Sequence, residues 1–308
     1  MEATEGLLGP LLLARGNIDR SAALRQNPER LKQAWADDER TRVVLVDRGR
    51  ARVRHDSETV ELALLRPSEA PGGDRYLLGV DEEGVTYFAV HAPGAAQADW
   101  QDLRRAGGLL GDRDAGLLVN AVALEAWHTT HEHCPRCGAR TEITAGGHMR
   151  VCPEDQSQHF PRVDPAVIML VHDGERCLLA RGPQWPENRF SVLAGFVEPG
   201  ESLEQAVARE VAEEVGVTVT APRYMGSQPW PFPRSLMLGF FARATSTDLR
   251  LDPTEIADAR WLSRAELREA VESEEILLPG QVSIARRLIE TWYGGHLPGD
   301  WFGSPRPS

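Results

Sequence analysis

Apolar positions along this chain fall into short strand-length runs broken by turn residues, with a helical period in a few stretches. Val43–Val46 and Ala51–Arg54 flank Asp47–Gly49, and Tyr76–Val80 and Val85–Val90 flank Asp81–Gly84; each set predicts a hairpin. Val60–Leu65 is a further strand candidate, and Arg66–Asp74, with Pro67, Pro71, Gly72 and Gly73, reads as a loop. Asn27 before Pro28 predicts a helix start leading through Trp35. Helices are expected near Gln97–Arg105 and over Ala115–Thr130. The second carries Leu117, Leu118, Val122, Leu124 and Trp127 on most faces, which predicts burial between domains or subunits.

Beyond residue 164 the pattern changes. Ala166–Val171 is apolar without alternation, the mark of a strand covered on both faces. Cys177–Ala180, Arg189–Ala194, Val217–Thr220, Leu236–Ala242 and Ala257–Trp261 read as further strands. Leu203, Val207 and Val211 recur at helical spacing, and Arg264–Ser273 (capped by Ser263) and Val282–Trp292 also read as helices. Mixed strands enclosed by helices predict an α/β/α sandwich over 164–294, behind an α+β domain at 1–128 and a small segment at 129–163; the fold class is α+β. The tail, 295–308, is rich in Gly and Pro and is expected to be loosely ordered.

Composition narrows the picture. A chain of 308 residues, 42% hydrophobic, is long enough for two domains with sizeable cores. The net charge of −12 argues against a broad electrostatic grip on nucleic acid, though not against reading the end of an RNA. No run of apolar residues has membrane-spanning length, and Leu7–Leu13, interrupted by Pro10, makes a poor signal peptide. Four cysteines do not suggest a disulfide scaffold, so a reduced, cytoplasmic protein without membrane attachment is expected. His55 and His91 stand alone and read as structural, and Cys177 reads as a buried thiol.

The chemistry concentrates in Gly195–Val217. Pro199 and Gly200 make a loop, Ser202 and Gln205 form a capping box, and Gly216 stands where a left-handed C-terminal cap is wanted. Glu210, Glu213 and Glu214 then share one face of one helical turn. Such like charges repel; a solvated acidic face would tolerate them, and hard divalent cations such as Mg²⁺ or Mn²⁺ would turn them to use. Gly195, Glu201, Arg209, Glu210, Val211, Glu213, Glu214, Gly216 and Val217 fall at all nine defined positions of the Nudix hydrolase signature, and the segment is identified as a member of that family. The resemblance implies a loop–helix–loop that binds divalent metal and hydrolyses a nucleoside diphosphate linked to another group.

Cys134-Pro-Arg-Cys137 followed by Cys152-Pro-Glu-Asp155 describes a zinc ribbon over 129–163, in which each knuckle points two ligands at one tetrahedral ion. The fourth position is Asp155 where a cysteine would be usual. Asp155 as ligand, His159 as ligand, and loss of zinc all remain open, with His131, His133 and His148 more distant candidates. A bound Zn²⁺ would be structural.

Ser227-Gln228-Pro229-Trp230-Pro231-Phe232-Pro233-Arg234-Ser235 alternates prolines with aromatics and reads as a stiff loop holding two rings, suited either to packing or to stacking on a planar heterocycle. SQPWPFPxS resembles the marker of the NADH pyrophosphatase and NAD-cap RNA-decapping branch of the Nudix hydrolases, as does a zinc ribbon ahead of the catalytic domain. That resemblance implies a homodimer that cleaves NAD(H) to nicotinamide mononucleotide and AMP, and NAD-capped RNA to 5′-monophosphate RNA. It assigns Glu210, Glu213, Glu214 and Glu255 to the catalytic metals. It assigns Phe160, Phe196, Gln228, Trp230, Ser283 and Ala285 to the substrate. Within it Glu214 is expected to take the proton of the attacking water, with Glu213 next, while Glu201 and Arg209 pair to brace the loop. Rival readings are a Nudix enzyme for other dinucleotides or oxidised nucleotides, and an RNA-binding adapter with an inactive Nudix domain.

Overall fold

In the computed structural model, residues 8–55, 59–95 and 99–301 are described. They divide into two compact units, one of residues 8–12, 164–228 and 236–301, the other of the remainder between 13 and 163 together with 229–235.

The first unit is built on the Asp164–His172 strand. Its Val167, Met169 and Val171 enter one buried cluster and its Ile168 and Leu170 the other, which is why the run is apolar without alternation. The sheet runs Val219–Trp230, Ser235–Ala244, Asp164–His172, Arg176–Arg181, Asp258–Ser263, with Leu193–Phe196 paired antiparallel to Asp164–His172. The Leu203–Val215 helix packs Ala206, Val207, Val211 and Val215 onto one face. Leu267 and Val271 of Arg264–Glu272, with Leu288 and Ile289 of Ile284–Tyr293, cover the other. This is the expected α/β/α sandwich.

In the second unit both predicted hairpins form: Val46 faces Ala51 in one and Leu77 faces Phe88 in the other. They join through a parallel pairing that sets Val43 opposite Phe88. Val60–Leu62 extends the sheet, and the Asp112–Thr130 helix is buried on most of its surface. Glu142–Thr144, Met149–Val151 and Gln158–His159 make a separate three-stranded sheet.

Three expectations differ. Residues 97 and 98 of the expected Gln97–Arg105 helix lie outside the described residues. The Trp100–Asp102 segment is a strand on the edge of Arg50–His55, and only after it does the short Leu103–Ala106 helix begin, started by Asp102 accepting from Arg104 N. An open sheet edge, with its unpaired N–H and C=O groups, takes the segment that helical pattern alone would claim. Ser227–Trp230 is the end of the Val219–Trp230 strand rather than a loop. That strand stands at the end of the sheet order, where a missing proline N–H costs least. Finally, the chain from Gly294 to Trp301 is held, because the buried Arg286 guanidinium takes the Gly299 and Leu297 carbonyls as acceptors.

Candidate active site

The signature helix begins as expected. Ser202 Oγ accepts from Gln205 N, the Gln205 side chain accepts from Ser202 N at 2.9 Å, and Gly216 closes the helix at φ 71°. Helical spacing then brings Arg209 beside Glu210 and Glu213. Its guanidinium reaches further than the expected pair with Glu201. Nε and Nη2 donate to the two Glu201 oxygens, each at 2.8 Å, and Nη1 donates to Glu210 at 2.8 Å and Glu213 at 2.9 Å. Nη2 also donates to the Phe196 carbonyl at 2.9 Å, so one planar fork fixes loop, helix and strand end together. Arg209 holds the Glu201 carboxyl down at about 2, with the Glu198 N–H second.

Gly195 has a reason that spacing alone does not reveal. A Cβ there would lie 1.9 Å from the Glu210 carboxyl carbon, so the strand can run against this carboxylate only where no side chain exists. Glu210 and Glu214 are both buried, at 8% and 7% exposure. Glu214 Oε2 has no hydrogen-bond partner, and its carboxyl is pushed up to about 8, first by burial and then by the charges of Glu210, Glu255 and Glu213. Glu210 is raised for the same leading reason, although Arg209 opposes it.

Glu255 arrives from a separate loop. Asp252 Oδ1 accepts from Thr254 N and Oγ1 at 2.8 and 2.7 Å, a turn that its Asp-Pro-Thr-Glu sequence favours. Asp252 N donates to the Glu214 carbonyl at 3.0 Å, docking this loop on the end of the signature helix. The charge of Glu255 is felt at both Glu210 and Glu214. Crowded carboxylates, one with a buried unpartnered oxygen, are what a hard divalent cation needs, and these residues fit Mg²⁺ or Mn²⁺.

The ribbon residues also converge. One ligand atom from each of Cys134, Cys137, Cys152 and Asp155 lies within 4.8 Å of all the others. Cys137 Sγ stands 3.4 Å from Cys152 Sγ, and Cys134 Sγ 3.9 Å from Asp155 Oδ2. Tetrahedral Zn²⁺ with thiolates has ligand–ligand edges of about 3.8 Å, so the donor set fits zinc. His159 Nε2 instead meets Ser157 Oγ at 3.1 Å and is absent from this group. Cys177 is a buried free thiol pushed up to about 12 by desolvation.

The substrate candidates occupy varied settings. Phe196 and Phe160 are exposed, at 59% and 58%. Phe160 lines a cavity of about 950 Å³ with Trp127, His131, His159, Arg162 and Arg234. Trp230 meets the Phe232 ring edge-on at 4.9 Å, and Arg104 lies 3.7 Å over Phe232. Gln228 is fully buried; its Nε2 donates to the Val282 carbonyl at 2.8 Å and its Oε1 has no partner. Ser283 caps the Ile284–Tyr293 helix by accepting from Ala285 N at 3.2 Å, and Ala285 is buried.

Sequence reasoning left His91 isolated. Among the described residues it gathers with Asp47 and Glu125, within 3.8 Å of the latter. The carboxylates there cap backbone turns: Glu125 accepts from Arg48 N and Gly49 N, and Asp47 from Gly94 N. The further contacts of Arg209 were missed because a signature records residue types, whereas the fork angles that let one guanidinium reach four groups appear only in the fold.

Residues 162–280 match the NUDIX domain family, residues 129–160 the NADH pyrophosphatase zinc ribbon domain, and residues 39–127 the NADH pyrophosphatase-like rudimentary NUDIX domain. The chain is 42% identical over 303 residues to the NAD-capped RNA hydrolase NudC of Mycobacterium bovis (strain BCG / Pasteur 1173P2), covering 91% of this chain and 94% of that protein. The NudC of Mycobacterium tuberculosis (strain ATCC 25618 / H37Rv) is similar to the same extent. The NAD-capped RNA hydrolase NUDT12 of Homo sapiens is 41% identical over 196 residues, 59% of this chain and 42% of that one.

Proposed function

This chain belongs to the Nudix hydrolases of the NADH pyrophosphatase and NudC family, and we propose that it cleaves the diphosphate of NAD(H) and of 5′ NAD caps on RNA. The products are nicotinamide mononucleotide with AMP, or with 5′-monophosphate RNA. The observation that carries this reading is the buried carboxylate group of Glu210 and Glu214 with Glu255, braced by Arg209. An anionic diphosphate would be repelled by it. Bound Mg²⁺ or Mn²⁺ would invert the local charge and polarise the phosphorus.

Within that frame each side chain has a task. Glu210, Glu213, Glu214 and Glu255 would hold the divalent ions. Glu214 is proposed to take the proton of the attacking water, since its buried Oε2 has no hydrogen-bond partner of its own. Arg209 bridges Glu210 and Glu213 and fixes the Phe196 backbone, leaving the exposed ring for nicotinamide. In the second unit Phe160, in its cavity, and Trp230 are proposed substrate contacts; in the first unit Ser283 is another, while the buried Gln228 and Ala285 support the backbone rather than touch the dinucleotide. Zn²⁺ on Cys134, Cys137, Cys152 and Asp155 is structural.

A homodimer is the proposed assembly, a reading supported by the exposed apolar Leu109, Phe160 and Val163. A cytoplasmic location is proposed from four cysteines of which none is in a disulfide. Among the described residues no helix is long and apolar enough to cross a membrane. The test sets NADH and an NAD-capped RNA side by side with Mg²⁺ or Mn²⁺ and weighs the products. Nicotinamide mononucleotide from both is expected; no product from either would leave the adapter reading standing.

A further inference from the structure

The segment after the last helix is held more firmly than its Gly- and Pro-rich composition requires. Arg286 is fully buried on the Ile284–Tyr293 helix. Its Nε donates to Glu290 Oε1 at 2.8 Å, its Nη1 to the Gly299 carbonyl at 2.7 Å, and its Nη2 to the Leu297 carbonyl. Leu297 N in turn donates to Glu290 Oε1 at 3.2 Å. A buried guanidinium must find acceptors, and this one draws them from the chain beyond its own helix.

The strap ends in Trp301. Its Nε1 donates to the Leu277 carbonyl at 2.7 Å, its backbone N to the Leu278 carbonyl at 3.0 Å, and its carbonyl accepts from Arg189 Nη2 at 3.0 Å. Thus anchored, the Trp301 indole meets Trp185 edge-on at 4.9 Å. Trp185 N donates to the Gly182 carbonyl at 3.1 Å, and a Cβ added to Gly182 would stand 3.5 Å from the Glu255 carbonyl. Next to them Ala257 N donates to the Arg181 carbonyl at 2.8 Å. The contacts run from the C-terminal strap, through one indole pair and the Gly182 turn, to the hydrogen bond between Arg181 and Ala257, two residues past Glu255.

We infer that residues 297–301 are a positioning strap for Glu255, acting through Trp301 and Trp185 on the loop that carries this carboxylate. The inference rests on the reading of Glu255 as a ligand of the catalytic ions. Mg²⁺ demands near-octahedral oxygen geometry, so a small drift of one carboxylate loosens the ion before it alters the chemistry of a loaded site.

The experiment measures Mn²⁺ binding to the full chain by titration calorimetry without substrate, and beside it NADH hydrolysis against Mg²⁺ concentration, for Trp301→Ala, Trp185→Ala, Glu255→Gln, and each tryptophan variant combined with Glu255→Gln. The Mn²⁺ dissociation constant should move with the half-activating Mg²⁺ concentration. The half-activating Mg²⁺ concentration should rise about 10-fold in Trp301→Ala, the scale on which residues supporting a ligand act. Trp185→Ala, which leaves every hydrogen bond of the strap intact, should rise likewise, with excess Mg²⁺ recovering most of the lost rate. In the Glu255→Gln background neither tryptophan variant should add anything. A folded Trp185→Ala with the parental Mg²⁺ response, while Glu255→Gln shifts it, overturns the strap and leaves the Glu255 reading intact. An equal shift with and without Glu255 also overturns it. A parental response in Glu255→Gln itself removes the Glu255 reading, and the strap's role with it.

Discussion

Glu214 shows how a single side chain can be unfavourable to the fold and necessary to the site. Its carboxyl is buried, one oxygen has no partner, and three glutamate charges act on it, so in the absence of metal it holds its proton up to about pH 8. Divalent ions reverse that balance by supplying the positive charge the carboxylates lack. Glu214→Gln keeps size and shape and removes both the charge and the proton acceptor. It should lower kcat by about 10²–10⁴-fold, the range of general-base removal. The metal-free protein should meanwhile melt at the same or a higher temperature near neutral pH, because folding no longer has to take up a proton that the unfolded carboxylate lacks. Parallel calorimetry and turnover check this; unchanged turnover would transfer the base role to Glu213.

At the scale of elements, the joint between ribbon and long helix is made by neutral histidines. His128 stacks on Tyr76 with ring centroids 4.4 Å apart, its Nε2 meets the Gly147 carbonyl at 2.8 Å, and its Nδ1 faces Arg150 Nη1 at 3.0 Å. That pattern is satisfied only if Nδ1 is unprotonated. His148 Nε2 meets the Leu77 carbonyl at 2.7 Å. Burial leads in depressing both to about 4. An unfolded chain therefore binds protons that the folded one refuses between about pH 6.5 and 4, and stability is lost as pH falls through that window, by at most about 1.4 kcal/mol per pH unit for each histidine. Urea titrations of the parent and of His128→Asn with His148→Asn should differ in slope there and agree above pH 7. Zinc, when bound, would tie the ribbon together through Cys134, Cys137, Cys152 and Asp155. Cys152→Ser should lower the melting temperature while turnover with excess Mg²⁺ survives at temperatures below the melt, since a three-ligand site no longer closes the ribbon. Equal loss of both at all temperatures would place the ribbon in the chemistry.

Across the whole molecule, the features legible in the sequence were those that local rules decide. The capping box of Ser202, the two-faced Asp164–His172 strand, both hairpins and the pairing of Glu201 with Arg209 depend on neighbours in sequence or on period. The Trp100–Asp102 edge strand depends on Arg50–Arg52, far back in the chain, and the hold of Arg286 on residues 297–299 depends on its guanidinium being fully buried, which local pattern does not show. Net charge is the one global property that composition gave outright, and it bears on how a capped RNA is met. At −12 the protein repels a polyanion, and the diphosphate end is taken by local chemistry rather than by a basic surface. Proteins that neutralise phosphates with Lys and Arg lose affinity steeply with salt as counterions are released. Here the opposite sign is expected. With Mg²⁺ fixed and saturating, KM for a capped RNA of about 100 nucleotides should exceed that for a capped RNA of a few nucleotides at low salt. The gap should narrow as monovalent salt rises and the screening length falls to about 8 Å. KM for NADH, with no polynucleotide attached, should barely move. A KM for the long RNA that climbs with salt would reveal a cationic track along the body of the RNA, and the argument from net charge would give way to one from charge placement.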